Sequence, residues 1–203
     1  TIFMSRFVHL HGHTQYSLLD GLSKIPKLIK AVKDSGMDSV AITDHGVMYG
    51  VIEFYKACRE AGVKPIVGVE MYVAKRSHKD KEVRLDSEPF HLTVLAKNYQ
   101  GYLNLMKLTT IAHRDGYYYR PRVDKALLKE FHDGLIALSG CPSGEFIRSI
   151  NTRDPKKAEE VIKTYLDIFG EGNFYLELQS HPYQQSLDMA KDEVIKKDLR
   201  SIL

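Results

Sequence analysis

Apolar positions along the 203-residue chain fall into two kinds of run, and their alternation predicts the architecture. Ile25, Leu28, Ile29 and Val32 recur at helical spacing between Lys24 and Ser35, and Gly36 supplies a stop, so this stretch predicts a helix. The same logic predicts helices over Met48 to Ala61, ended by Gly62, over Tyr99 to Ala112, over Lys156 to Phe169 and over Gln184 to Leu203. Between them lie short continuous apolar runs of strand length: Phe7 to Gly12, Ser39 to Thr43, Ile66 to Val73, His91 to Ala96, Leu135 to Ser139 and Phe174 to Gln179. Pro65 precedes the third of these, where a strand tolerates it. The charged stretch Lys75 to Glu88 predicts a surface loop. Six strands alternating with helices, apolar on both faces, imply an α/β protein with a parallel sheet, either a barrel or a doubly wound sheet. In both, functional side chains belong at the carboxyl ends of the strands.

Composition narrows the class without choosing a function. Hydrophobic residues make up 43% and charged residues 27%, which excludes disordered, collagen-like and coiled-coil chains. No apolar run approaches the roughly 20 residues of a membrane span, and the start of the chain carries no apolar export signal. A net charge of +3 is too mild to argue for nucleic acid by itself. Cys58 and Cys141 lie far apart with no CxxC spacing, which fits a reducing cytoplasm and excludes a disulfide framework. Neither a Walker loop nor a GxGxxG occurs, which argues against nucleoside triphosphatases and dinucleotide enzymes.

The nine histidines change the picture. His9, His11 and His13 alternate at the end of the first strand, where a period of two points them to one side, and His11 and His13 are spaced to share a metal. His9 sits deepest and divides evenly between a ligand and a structural role. His45 follows Asp44 at the end of the second strand, an acidic neighbour suited to orienting a metal-bound imidazole. Glu70 lies late in the third strand, His91 opens the fourth, and Cys141 follows the fifth in Ser139-Gly140-Cys141-Pro142. Taken singly these would be a salt bridge, a structural histidine and a packed thiol. As a set, nitrogen, oxygen and sulfur donors converge on one mouth in numbers too large for one ion. A cluster of divalent metals points to phosphate-ester hydrolysis, with phosphoryl oxygens polarised and a metal-bound hydroxide as nucleophile. Tyr117 to Arg122 interleaves aromatics with Arg120 and Arg122, a pattern that could stack bases and hold phosphates or else be a packed loop.

These residues resemble the polymerase and histidinol phosphatase (PHP) family, in particular its branch at the amino end of the bacterial replicative DNA polymerase III alpha subunit. The carrying stretches are Phe7-Val8-His9-Leu10-His11-Gly12-His13-Thr14, Tyr16-Ser17-Leu18-Leu19-Asp20-Gly21, Ala41-Ile42-Thr43-Asp44-His45-Gly46 and Lys64-Pro65-Ile66-Val67-Gly68-Val69-Glu70. Tyr118-Tyr119-Arg120-Pro121-Arg122 and Gly134 to Ser139 match as well. The resemblance implies a distorted seven-stranded βα (TIM-like) barrel over residues 1–203, truncated before its last strand. It also implies up to three metals, zinc first with manganese or iron as alternates. By resemblance His11 and His13 are the paired ligands, Asp20 a bridging or third-metal ligand, His45 the second-motif ligand and Glu70 a bridging carboxylate. His91 and Cys141 take the next ligand positions.

The family's closing Asp-x-His motif is missing, since Asp188, Asp192 and Asp198 have no histidine two residues on. A fragment of a longer polymerase is therefore expected, without the polymerase palm. The implied activity is a metal-dependent 3′ to 5′ proofreading exonuclease, catalysed through metals positioned by Asp20 and Glu70. Implied partners are the 3′ end of single-stranded DNA, the rest of the alpha subunit and other replisome subunits, with no membrane. Two alternatives stay open: a structural, metal-stabilised module that docks a separate proofreading subunit, and a small-molecule phosphatase of the histidinol phosphatase type.

Overall fold

The computed structural model describes residues 7–152 and 155–179. The helix expected over Gln184 to Leu203, and the search for a closing motif at Asp188, Asp192 and Asp198, lie outside the described residues.

The elements in chain order are α1 (Ile25–Asp34), β1 (Ser39–Ile42), α2 (Val51–Ala61), β2 (Lys64–Val73), α3 (Val83–Asp86), β3 (Phe90–Ala96) and α4 (Tyr99–Arg114). There follow β4 (Tyr117–Tyr118), β5 (Arg120–Val123), α5 (Lys125–Glu130), β6 (Leu135–Leu138), α6 (Glu145–Asn151), α7 (Pro155–Phe169) and β7 (Phe174–Tyr175). Local chemistry sets the helix ends. Pro26 sits in the first turn of α1, where its missing N–H costs nothing, and α1 buries Ile25, Ile29 and Val32 along one stripe. Gly62 closes α2 in the left-handed region at φ 70°, and Asn98 caps α4 by accepting from the Gly101 amide at 3.0 Å.

β2 is the hub of the sheet. Its first half pairs with β1 in parallel, its second half pairs with β3 antiparallel, and its last two residues pair with β5 in parallel. β3 continues antiparallel to β6, and β6 runs parallel to β7. The sheet is thus mixed, where continuous apolar runs had implied a parallel one; an apolar run records burial on both faces and carries no information about strand direction. The strand expected over Phe7 to Gly12 is instead an extended segment beside β1, tied by a single bridge, His9 to Val40, and by the Ala41 and Thr43 amides donating to the His9 and Gly12 carbonyls. The run expected over Phe174 to Gln179 pairs only at Phe174 and Tyr175. Among the described residues no strand pairing closes the sheet on itself.

The pleat separates two faces. Val69, Met71 and Val73 point to one side with Leu92 and Val94, and pack against Leu105 and Leu108 of α4, Leu128 of α5 and Tyr165 and Ile168 of α7. Phe54 and Cys58 of α2 join Ile25 and Ile29 of α1 over Val40 and Ile42 of β1 in a second cluster, so Cys58 is a packing residue. The opposite face of β2 and β3 presents Glu70, Tyr72, His91 and Thr93, with a small apolar floor of Ala41, Leu95 and Leu138 nearby.

The Lys75 to Glu88 stretch holds the short helix α3 and is anchored rather than free. Arg76 donates to the buried Asp86 carboxylate at 2.6 Å, and the His78 amide donates to Asp124 at 2.9 Å. No described helix is long and apolar enough to cross a membrane.

Candidate metal centre

Glu70 is the centre of the site. Its carboxylate is 1% exposed, and four imidazoles converge on it. Oε2 lies 3.3 Å from His11 Nε2, 3.0 Å from His13 Nε2 and 3.0 Å from His45 Nδ1, while Oε1 lies 3.0 Å from His91 Nδ1. The topology explains the convergence. His45 follows β1 and bridges to Glu70, which brings a loop residue level with the middle of β2. His91 is the second residue of β3, and because β3 runs antiparallel to β2 the amino end of β3 lies at the carboxyl end of β2, which sets His91 in register with Tyr72. Cys141 follows β6, which is antiparallel to β3 in turn, and its Sγ stands 3.5 Å from His91 Nδ1.

Two further carboxylates face outward-pointing nitrogens of the same rings. Asp20, 61% exposed, meets His45 Nε2 at 2.5 Å, and Glu177 meets His11 Nδ1 at 2.7 Å. Both nitrogens of His11 and both of His45 therefore face carboxylates. A neutral imidazole carries one proton, so each ring needs either a second proton or a cation. His13 and His45 stack at 4.1 Å between centroids, an arrangement unfavourable for two charged rings.

Behind the rings, Asp44 is buried and accepts from the Thr14 amide at 2.6 Å, the Thr14 hydroxyl at 2.8 Å and the Ser17 hydroxyl at 2.8 Å. Ser17 Oγ in turn accepts from the His45 amide at 3.1 Å and lies 3.4 Å from His13 Nδ1. Asp44 thus fixes the turn that carries His13 and Asp20, acting through Ser17 instead of on the His45 ring directly. The turn is tight at Gly21, where a Cβ would come within 1.8 Å of the Thr14 carbonyl oxygen. Ser139 holds the other wall by accepting from the Glu177 amide at 2.9 Å.

The same carboxylates that would attract cations also shift the titration of the rings around them. Burial by itself would raise the Glu70 carboxyl, but the imidazoles of His11, His13, His45 and His91 outweigh it and hold the group far below the usual carboxylate range. Burial would lower His11, yet Glu177 and Glu70 raise it to about 9. His45 is raised by Glu70 and Asp20 against the same burial. Burial, with the Glu70 charge beside it, pushes the Cys141 thiol up to about 11. Because the folded pKa of His11 lies above its ordinary 6.5, its contribution to metal-free stability is complete below about pH 6.5 and is lost as the pH rises through about 9. The chelated protein is therefore expected to melt at a lower temperature at pH 9 than at pH 6.5, whereas metal affinity should rise over that interval as the proton leaves. Calorimetric scans with and without metal test both signs, and a chelated melting point that rises with pH would refute the assignment.

The donors fit a cation. Three overlapping triplets, His11 with His13 and Glu70, His13 with Asp20 and His45, and His45 with Glu70 and His91, each bring ligand atoms within 4.8 Å of one another. His45 Nδ1 and Glu70 Oε2 are buried and 3.0 Å apart, yet neither makes a hydrogen bond. Buried polar atoms left so are expected where ligands share an ion, and the nitrogen, carboxylate and thiol set suits divalent metals. A cavity of about 1690 Å³ opens beside the cluster and reaches the apolar floor.

All seven expected ligand positions, His11, His13, Asp20, His45, Glu70, His91 and Cys141, are brought together, although Cys141 joins none of the triplets among the described residues. His9 stays outside the cluster, exposed and edge-on to Phe7. Sequence reasoning missed Glu177, Thr14 and Ser17. Glu177 alone carried a signal, an acidic residue near the carboxyl end of an expected strand. Arg120 is exposed, with its guanidinium 5.7 Å from the centre of the Tyr72 ring. Arg122 corrects the expectation of a phosphate-binding arginine. It is fully buried and donates to the carbonyls of Gly116, Asp86, His78 and Asp80 at 2.7 to 3.1 Å, which leaves it no access to a phosphate.

The sequence profile described as the PHP domain matches residues 9–181. The chain is 44% identical over 195 residues to a DNA polymerase III subunit alpha from Borreliella burgdorferi, covering 96% of this chain and 17% of that protein. It is 44% identical over 201 residues to the subunit from Aquifex aeolicus and 43% identical over 198 residues to that from Thermus aquaticus, covering 94% and 95% of this chain and 17% and 16% of the relatives. The chain therefore spans only about a sixth of these relatives' length.

Proposed function

The chain belongs to the PHP domain family, and from that premise we propose that it is the PHP portion of a DNA polymerase III alpha subunit, where it acts as a divalent-metal phosphoesterase trimming the 3′ end of single-stranded DNA. The observation that carries this reading is the buried Glu70 carboxylate ringed by four imidazoles, with His45 Nδ1 and Glu70 Oε2 left without hydrogen bonds. His11, His13, Asp20, His45, Glu70, His91 and Cys141 would hold up to three ions, zinc first with manganese or iron as alternates. When bound, such ions polarise phosphoryl oxygens and acidify the attacking water.

The protein's own groups prepare the site. Glu70 orients four rings at once, Glu177 fixes the far nitrogen of His11, and Asp20 reaches from the exposed rim to His45 Nε2. Arg120 stands beyond Tyr72, where phosphates of an approaching strand would pass. We further infer that the sheet is a distorted TIM-like barrel, truncated before its last strand, within one domain spanning 1–203, a reading supported by the 2.7 Å contact of His11 with Glu177, which brings the first and last described segments together. The partners in this reading are DNA, the rest of the polymerase and other replisome subunits, in the cytoplasm.

Metal content by plasma mass spectrometry, paired with digestion of a 5′-labelled single-stranded oligonucleotide, tests the proposal. The parent should carry at least about two equivalents and shorten the 3′ end, chelation should abolish the shortening, and Asp20→Asn should slow it by at least about tenfold. A parent without metal, or one that leaves the oligonucleotide intact when loaded, would refute it.

One observation favours a second reading. The segment bearing His11 and His13 is tied to β1 by a single bridge, so ions at the cluster would also hold the fold together. A purely structural module predicts that Asp20→Asn lowers the melting temperature in a parent that shows no nuclease activity.

A further inference from the structure

Beside the cluster, on the far side of Tyr72 and His91, lies a second cleft of about 580 Å³, between the β4–β5 hairpin and α6. Arg120, Arg148 and Tyr119 line it, together with Glu88. Arg120 is exposed and has no carboxylate within ion-pair distance among the described residues; its guanidinium is held over the Tyr72 ring. Arg148 lies 5.6 Å over the Phe90 ring, and its one ionic neighbour, Glu88, is 3.9 Å away and 74% exposed, a contact weak enough to yield to a stronger anion. Two planar guanidinium groups preset on aromatic faces form a ready clamp for phosphate oxygens.

Tyr119 adds an independent observation. It holds φ 58°, the left-handed region that disfavours side chains; its ring is 61% exposed and packs edge-on to Tyr118 at 4.7 Å. Tyr119 is the turn residue of the β4–β5 hairpin, between the paired Tyr118 and Arg120, so the hairpin sets its left-handed backbone and holds the ring out to solvent, where it can stack a nucleobase.

We propose that this cleft is a subsite for the polynucleotide strand behind the reacting end: Arg120 and Arg148 grip the phosphodiester next to the scissile one, and Tyr119 stacks on its base. The proposal rests on the phosphoesterase reading of the neighbouring cluster and adds that the site selects a strand over a lone nucleotide. The cleft shares Tyr72 and His91 with the cluster, so a strand entering it runs directly to the metal donors.

Fluorescence anisotropy of a short 5′-labelled oligothymidylate, with thymidine monophosphate as competitor, tests it without needing turnover. Arg120→Ala with Arg148→Ala should weaken oligonucleotide binding at least about tenfold and flatten its salt dependence by about 0.7 in log–log slope, the share of one phosphate, while shifting mononucleotide competition far less. Tyr119→Gly, which suits the positive φ, should keep the melting temperature and still lose affinity severalfold. Unchanged affinity and salt slope in the arginine pair, equal losses for strand and mononucleotide, or a parent that binds no oligonucleotide would overturn the subsite. If the parent degrades DNA while the arginine pair binds normally, the subsite fails and the phosphoesterase reading stands. If binding falls as expected in a protein that hydrolyses nothing, the subsite stands and the phosphoesterase reading fails.

Discussion

Replacing Glu70 with glutamine is expected to remove at least one equivalent of bound metal and to lower phosphoesterase turnover by at least about a hundredfold. The carboxylate is the one group that touches His11, His13, His45 and His91 together, so its charge organises two strands and two loops. Glutamine keeps the volume but turns one oxygen into a donor facing imidazole nitrogens, and it withdraws one of the two negative charges, Glu177 being the other, that hold His11 at about 9. Uncompensated charge of this kind in a buried site costs about 3–5 kcal/mol, a large share of the 5–15 kcal/mol that stabilises a typical domain. Metal content and a melting curve on the same preparation separate the two effects. A variant that binds a full metal complement and melts with the parent would remove Glu70 from its central place.

Arg122→Met should produce the largest loss of stability that leaves the metal donors untouched. The side chain is fully buried, and its guanidinium satisfies four carbonyls from three segments: the turn after α4, the 78–80 loop and the end of α3. Methionine fills the space and strands those carbonyls, at about 1–3 kcal/mol for each that water cannot reach. A total loss of about 3 kcal/mol or more is expected, which for a chain of this size lowers the melting temperature by roughly 6–12 °C. Lysine should recover only part, since one ammonium offers three donors without the fork geometry. A shift under about 2 °C would mean that the 75–88 stretch is held by other contacts, such as Arg76 with Asp86.

The contrast between those two residues shows what the sequence made legible. Helices α1, α2, α4 and α7 could be read because their apolar faces repeat at helical spacing and their ends carry proline, glycine or a cap. α5 and α6 are six and seven residues long, too short for that periodicity, and the sequence reading passed over them. Strand direction was illegible: alternation in Gly68-Val69-Glu70-Met71-Tyr72 assigns faces but not partners, so the reversal of β3 that carries His91 to the cluster was beyond reach. The cluster itself was legible because imidazoles and carboxylates recur at the ends of successive apolar runs, where burial makes such groups costly unless they are paired or bind a metal. Arg122 was not, since an arginine among tyrosines reads as a surface group, and the carbonyls that claim it are supplied from up to 44 residues away. Asp44 was noticed beside His45, but its work through Ser17 depends on a turn that only the folded chain forms.

The segment that delivers His11 and His13 leans on β1 through one bridge and few amides, so local opening is expected to begin there. In hydrogen-exchange terms, the Ala41 and Thr43 amides, bonded to the His9 and Gly12 carbonyls, report an opening of the edge that need not involve the core behind β2. Each ion captured would close that opening, so the protection of two amides, Ala41 on β1 and Thr43 just after it, becomes a gauge of occupancy, and loading the centre and zipping the edge are one local equilibrium.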